Sequence, residues 1–504
     1  MSFYEESSII ITPNAYKAGT LYAVVPTSGA ADMDVTRATA ATRVDESGLV
    51  NYAEVLGGEL APPASDITQW DQSSSVTQSG TSFIISTGGY IFENIPLITS
   101  GTGKWVIEGS GDIKYRTNTA DAYVTVTLPA TVYPAFGTPN SRIQLSNSSG
   151  SDVTVDNVSV KEAARDNVPR IDYTGGGCPH ILAEPQRTNL ETTSASGSYG
   201  NSPASEILAI APDGLNTAIR PVPDATSDRY QHTIIGGSYS SGDKVTYSWY
   251  RKRFSTPIDD TVVGDLVIQI LVNVTVGATT EIASSINGYD RFSATFSITD
   301  GSLDSILRLY FGSLIGNGNS SVAYWGHQIE QGSYATSYIP TSGATVTRNQ
   351  DQFTRDGISS LINSTEGCVF GEGNFAESNS SSYNYFVSLS DGTSSNRLEV
   401  RQSSPNLQFL WRVATYQSEI STSSLDVSSN FKFALNYSAA NIKFYVNGDL
   451  IGTINTPTLW SVNTLNRLAF DDGAGGNRLS GKVKQLQVYP SALSDAELIS
   501  LTTP

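Results

Sequence analysis

Imidazole and thiol are the scarce reagents of this chain: His180, His232 and His327, with Cys178 and Cys368. Cys178-Pro179-His180 sets a thiol two residues from an imidazole, a pairing that could serve as nucleophile and base or begin a metal site. The spacing supplies neither a third group to orient the base nor four ligands, so it reads as a loop. In "AYWGHQIEQ", His327 shares a strand face with Trp325 and Ile329 and reads as a core or rim residue rather than a catalytic one. No Gly-x-Ser-x-Gly elbow, phosphate loop or zinc-helix motif occurs. Two cysteines so far apart imply no disulfide framework or zinc site; two free thiols are expected, with one long-range disulfide as the alternative.

Carboxylates are abundant, 48 Asp and Glu in all. Glycoside cleavage needs two of them facing one site, and no cluster marks such a pair. Repeats of the parallel β-helix kind are also missing. Acidic loops at Asp391-Gly392 and "DDGAGG" (Asp471 to Gly476) read as solvated turns, with calcium as the alternative; their ligand spacing matches no defined calcium loop. Aromatic rings can stack on the apolar faces of sugars. Trp249 with Tyr247 and Tyr250 in "TYSWYRKR", and Trp411 in "LQFLWRVATY", are the candidates, although half of any sandwich strand faces the core and packing competes. Arg251, Lys252 and Arg253 form the densest basic patch, suited to an anionic glycan or a neighbouring subunit. The resulting assignments are Trp249, Arg251 and Trp411 for glycan, Asp391, Asp471 and Asp472 for metal, and no catalytic residue. No cofactor is expected, calcium aside.

Short strands must position these residues. The 504 residues exceed a single domain. Gly (44), Tyr (25) and Phe (17) are plentiful, and Met (2) is rare. That composition predicts an all-β, multi-domain chain rich in turns. A net charge of −18 without any basic run argues against nucleic acid or an anionic membrane as partner. No apolar stretch reaches membrane-spanning length, so no membrane insertion is expected. "MSFYEESSIIITPN" carries acid where a secretory leader needs base, so assembly in a cytosol is expected.

Local signals are clear in places. "NIKFYVNGDLIG" alternates Ile442, Phe444 and Val446 with polar positions, then turns at Asn447-Gly448, a type I′ hairpin signature. "SALSDAELISL" predicts a C-terminal helix with Ser494 as N-cap and Leu498 and Leu501 packing back. "VTVDNVSVKEA", "SVAYWGHQIEQG" and "GKVKQLQVYPS" each close a β-rich stretch, which predicts three jelly-roll sandwiches. The expected organisation is 1–65 an extended N-terminal base, 66–163 an inserted jelly roll, 164–188 a linker completing the base, 189–345 a second jelly roll and 346–504 a third.

Three stretches carry resemblances. "NIKFYVNGDLIGTI" with "LNRLAFDDGAGGNRLSGKVKQLQVYPSALSDAEL" resembles a concanavalin A-like, laminin G-type jelly roll. "AYWGHQIEQGSYATSYIPTSGATVTR" resembles carbohydrate-binding-type jelly rolls of phage virion proteins, and "VDNVSVKEA" the end of the same type. "LYAVVPTSGAADMDVTRATAATRVDESGLVNYAE" with "NVPRIDYTGGGCPHILAEPQRTNLE" is similar to the opening of phage tail-fibre-like virion proteins, where the two motifs lie close together; here the first jelly roll separates them.

The resemblances imply a phage virion structural protein without enzymatic activity. It would be a tail fibre, head fibre or capsid-associated spike that binds a host-surface glycan and contacts other capsid or tail proteins. The alternatives are a polysaccharide-degrading virion enzyme and a purely structural decoration subunit. The N-terminal segments need a surface to lie on, so Ile171, Tyr173, Ile181 and Leu182 are expected against a neighbouring chain or the particle, in a homo-oligomer, by resemblance a trimer. The alternative is that they wrap their own jelly rolls.

Overall fold

The computed structural model describes residues 3–94, 101–118, 121–136, 142–195, 205–222, 230–235, 239–254, 266–270, 274–286, 288–299, 305–311, 322–378 and 383–504. With 50% of residues in strands and 4% in helix, the chain is all-β. It divides into two compact units, Glu54–Arg165 and a second made of Met1–Ala53 with Asp166–Pro504.

In the unit Glu54–Arg165 one long strand, Gly101–Arg116, organises the sheet. It pairs with Val153–Ala164 along one edge and with Val124–Val132 along the other. The register shifts at Glu108/Gly109 and again between Ile107 and Gly111. Gly109 has φ +143, and a Cβ there would lie 2.1 Å from the carbonyl oxygen of Thr154, so only glycine permits the bulge. Past it the strand runs on to pair with Arg142–Ser146, which pairs in turn with Tyr90–Asn94. Phe83, Ile91, Trp105, Ile107, Ile113, Ile143, Leu145 and Val155 fill the core.

In the larger unit two sheets share one apolar cluster. The first runs Ile171–Asp172, His180–Ala183, Gly481–Tyr489, Gly367–Phe375, Phe431–Tyr437, Asn441–Val446 and Asp449–Asn455, with Ile9–Ile11 also paired to Gly481–Tyr489. The second runs Tyr16–Lys17, Thr20–Leu21, Met33–Thr36, Gln352–Arg355, Arg467–Ala469, Asn384–Ser390, Arg397–Ser403, Asn406–Val413 and Thr415–Ser421. The hairpin turn holds Asn447 at φ 50 and Gly448 at φ 89, as a type I′ turn requires. The helix Asp495–Thr502 starts at a capping box between Ser494 and Glu497 and lays Leu498 on the outer side of the first sheet, against Phe370, Ala434 and Tyr445.

The N-terminal segments are strands of this sandwich. Ile9 pairs with Val488, and Thr36 with Gln352. Ile171, Ile181 and Leu182 are buried within the chain, and Tyr173 packs against two of its clusters. This corrects the expectation that these residues face another molecule: the backbone groups of the segments are satisfied by the edges of the chain's own sheets.

The remaining strands form a six-stranded sheet, Ser205–Ala209, Ala218–Val222, Val322–Gln331, Lys244–Arg253, Tyr289–Ile298 and Val274–Ile286, and a three-stranded one, Tyr230–Ile235, Ser305–Phe311 and Leu266–Ile270. Leu266–Ile270 and Val274–Ile286, close in sequence, thus lie in different sheets. Arg187–Asn189 and Val346–Arg348 pair at the root of this module, where the chain enters and leaves it.

Beside that root lies a sealed ionic knot. Asp351 takes Arg37 at 2.7 Å on one oxygen and Arg170 on the other. Arg170 also reaches Glu184 at 2.6 Å, and Arg348 meets the same Glu184 oxygen at 2.8 Å. Ser337 donates to Glu184 from its amide (2.8 Å) and its hydroxyl (2.7 Å). All three arginines are at most 1% exposed. Burial works to raise both carboxyls, but the surrounding guanidiniums, with Ser337 at Glu184, hold them below their ordinary values.

Candidate functional site

The sequence candidates sit in unequal places. Trp249 is 3% exposed, stacked between Tyr247 (5.2 Å) and Phe292 (5.8 Å). Trp411 is 2% exposed, parallel to Phe409 at 5.7 Å, and donates its indole N–H to the carbonyl of Thr458. A ring enclosed on both faces offers nothing to a sugar, so both tryptophans are packing residues, a correction of their assignment as glycan platforms. Arg251 is half-buried with its guanidinium 4.2 Å over Phe292. The structure does not bring these three residues together in one site.

The three aspartates clamp their own loops. Asp391 accepts from the amide and hydroxyl of Thr393 and from the Asn396 side chain. Asp471 is buried, accepts from the amide of Gly473 and faces Arg467 at 3.0 Å. Asp472 accepts from the amides of Ala474 and Gly476 and from Asn477. Among the described residues no group of three or more His, Cys, Asp or Glu is placed to hold a metal ion.

His327 is fully buried beside the Tyr247 hydroxyl, and burial lowers it to about 4. His180 contacts Asp172 at 3.1 Å in the sandwich edge; burial lowers it despite that partner. Cys178 is exposed and Cys368 buried, both as free thiols. The side chain of His232 lies outside the described residues.

The best-organised polar face is the outer side of the second sheet, opposite the core. Along Arg397–Ser403, Leu398 and Val400 point into the apolar cluster, so Arg397, Glu399 and Arg401 point out. Strand register builds three rows across four strands: Tyr385, Arg401, Gln408 and Ser421; Ser388, Glu399, Leu410 and Glu419; Ser390, Arg397, Arg412 and Tyr416. Arg401 donates to Tyr385 (3.1 Å), Glu399 (3.0 Å) and Gln408 (2.7 Å). Arg397 lies 2.7 Å from the other Glu399 oxygen and donates to the backbone carbonyl of Asp472, which brings the 471–477 loop over this end of the face.

Two exposed rings flank this floor. Tyr383 is 51% exposed with Arg401 3.9 Å beneath it, and Tyr416 is 49% exposed beside Arg412. Beneath them, buried Ser388 Oγ and Arg412 Nε have no hydrogen-bond partner among the described residues, and Arg397 Nε meets Glu399 Oε2 as an ion pair without an aligned hydrogen bond. Burial pushes the Glu399 carboxyl up to about 7, against the pull of Arg397, Arg401 and Arg412. The arrangement offers stacking rings over fixed guanidiniums, the equipment for gripping a polyhydroxylated ring.

Residues 374–499, which contain this face, match the sequence profile described as the concanavalin A-like lectin/glucanases superfamily. The chain therefore carries a concanavalin A-like domain there. Among solved structures it is similar to CBM40 of the Ruminococcus gnavus IT-sialidase bound to α2,3-sialyllactose, with 17% identity, coverage of 29% of this chain and 86% of that one, and a TM-score of 0.25. It is also similar to domain 4 of AbnA, a GH43 extracellular arabinanase from Geobacillus stearothermophilus in complex with arabinotriose (8%, 34% and 84%, 0.26), and to a SAP-like pentraxin from Limulus polyphemus (17%, 27% and 70%, 0.23). Likenesses this weak say nothing about what the chain binds. No curated protein matches the sequence.

Proposed function

We propose that this chain is a saccharide-binding virion protein, an adhesin of the fibre or spike kind, that holds host-surface glycan on the outer face of its concanavalin A-like domain. The observation that carries the binding role is that face: Tyr383 and Tyr416 exposed above Arg401 and Arg412. Exposed aromatic rings suit the apolar faces of sugars, and the guanidiniums beneath hold these rings in place. The virion role is supported by the resemblance of the N-terminal motifs, and contact with other virion proteins, in a homo-oligomer, belongs to the same proposal.

We read the site as binding rather than cleaving. A glycosidase acid must present its proton to the substrate and face a second carboxylate. Glu399 is 0% exposed and engaged by two arginines, and Asp472 spends both oxygens on its own loop.

A glycan array with the full chain, paired with immunogold labelling of particles, tests both halves. The reading expects saccharide signal that falls in Tyr383→Ala/Tyr416→Ala, and label on the particle. Particles without label end the virion role, and reducing-sugar release from bound polysaccharide would convert the reading to an enzyme.

A further inference from the structure

The unit Glu54–Arg165 carries an outward sheet face of its own. Register aligns Asp71, Phe92, Gln144 and Arg116 in one row across four strands, with Tyr90, Ser146 and Lys114 in the next and Asn94 with Arg142 on the other side. Ile91, Ile143 and Leu145 occupy the inward positions between them, which fixes the named residues outward.

This face is built. Gln144, 4% exposed, accepts from Arg116 Nε at 2.9 Å and donates to the Tyr123 hydroxyl at 2.8 Å. Arg116 lies 4.5 Å over the Tyr123 ring and Arg142 4.2 Å over Phe92. Each guanidinium thus sits over an aromatic ring, which holds it in place, and that of Arg142 is suited to fork onto a carboxylate. Arg142 donates to Asn94 at 3.2 Å, while its buried Nε has no hydrogen-bond partner among the described residues. Tyr90, 40% exposed, continues the Phe92 ring at 6.3 Å and 23°.

The charge is mostly positive, with Asp71 at the end of one row as the exception. Lys114, Arg116 and Arg142 stand here on a chain whose net charge is −18. Of the carboxylates nearest in register, Asp71 is exposed at the row's end, Asp112 is engaged by Thr127 and Asp121 by Thr117.

We propose that this face is a second saccharide site, independent of the one on the concanavalin A-like domain, and that its ligand is a carboxylate-bearing sugar chain. Arg142 forks onto a carboxylate, Lys114 and Arg116 add positive charge, and Tyr90 takes the apolar face of an adjoining ring.

Titration calorimetry of the full chain with tetragalacturonate, and with its methyl-esterified form as the neutral control, tests this. In the Tyr383→Ala/Tyr416→Ala background the acidic tetramer still binds. Binding weakens at least tenfold in Arg142→Gln, weakens again on raising salt, and is absent for the ester. Hydrogen exchange then shows tetramer-dependent protection across Tyr90–Asn94 and Arg142–Ser146, a readout that holds even if Arg142→Gln is poorly folded; Tyr90→Ser, at an exposed position, gives a second variant. Equal affinity in the Arg142 and Tyr90 variants, equal affinity for the ester, or no protection in these strands would each overturn the second site. Loss of binding in the Tyr383/Tyr416 background alone would assign the acidic sugar to the first site.

Discussion

Glu184 and Glu399 each meet two guanidiniums, yet one is held far below its ordinary value and the other is pushed up to about 7. The difference lies in what else each carboxylate receives. Glu184 accepts from the amide and hydroxyl of Ser337 as well as from Arg170, and shares Arg170 with Asp351 in a set where every carboxylate oxygen is met. Glu399 accepts one aligned bond from Arg401, and its second oxygen accepts none although Arg397 stands 2.7 Å away. A buried charge is tolerable when its hydrogen bonds are complete and costly when they are not. The knot's carboxylate oxygens are all met, although Nε of Arg170 and of Arg348 has no hydrogen-bond partner among the described residues, and it acts as a fastener between the N-terminal segments and the segment at Arg348 and Asp351. At the outer face one oxygen of Glu399 is left without an aligned hydrogen bond.

Breaking the fastener is expected to have the largest effect. Arg170→Met strips a guanidinium from between two buried carboxylates, and removing one partner of a buried pair costs about 3–5 kcal/mol. Hydrogen exchange in the ribbon of Arg187–Asn189 with Val346–Arg348 is the suitable probe, since a chain of several modules need not unfold in one step. A loss under about 1 kcal/mol would mean the knot is not what fastens these segments. Trp411→Ala is next, at about 3–5 kcal/mol for an enclosed ring, with saccharide affinity per folded molecule unchanged. Affinity loss without destabilisation would return Trp411 to the site.

Glu399 gives a smaller effect with a defined sign. Its folded value is raised, so the folded chain binds a proton that the unfolded chain has released between about 4.5 and 7. Its stabilising contribution is full below 4.5 and lost as pH rises through 7, at most about 3 kcal/mol over that window. Glu399→Gln flattens the stability profile there. An unchanged profile would show the carboxylate to be ionised throughout, as Glu184 is.

The sequence carried the local features and missed those that join distant residues. The Asn447-Gly448 turn and the Ser494 cap depend on neighbours a few positions away, and both were readable. Strand parity was also present: Leu407, Phe409 and Trp411 share one side of Asn406–Val413, and Gln408 and Arg412 the other. That parity groups Trp411 with the apolar Leu407 and Phe409, against its glycan assignment, and puts Arg412 on the other side. "SRIQLSN" likewise marked Arg142 and Gln144 as outward. In Lys244–Arg253 both faces are buried, so parity could not say where Trp249 would lie. The knot left no local trace, because Arg37 and Asp351 are 314 positions apart. Nor could local pattern show that the N-terminal segments join the sheet edges of their own chain, and the sequence case for an oligomer had started from their need of a surface.

The central claim is that the outer face around Glu399 holds saccharide, and one titration tests it most directly. The saccharide that the full chain selects from an array is titrated into wild type and into Tyr383→Ala/Tyr416→Ala, with thermal unfolding recorded for both. The account predicts that affinity falls at least tenfold, about 1.4 kcal/mol, while unfolding shifts by no more than surface substitutions usually cause, about 0.5 kcal/mol. Equal affinity in the two proteins would contradict it.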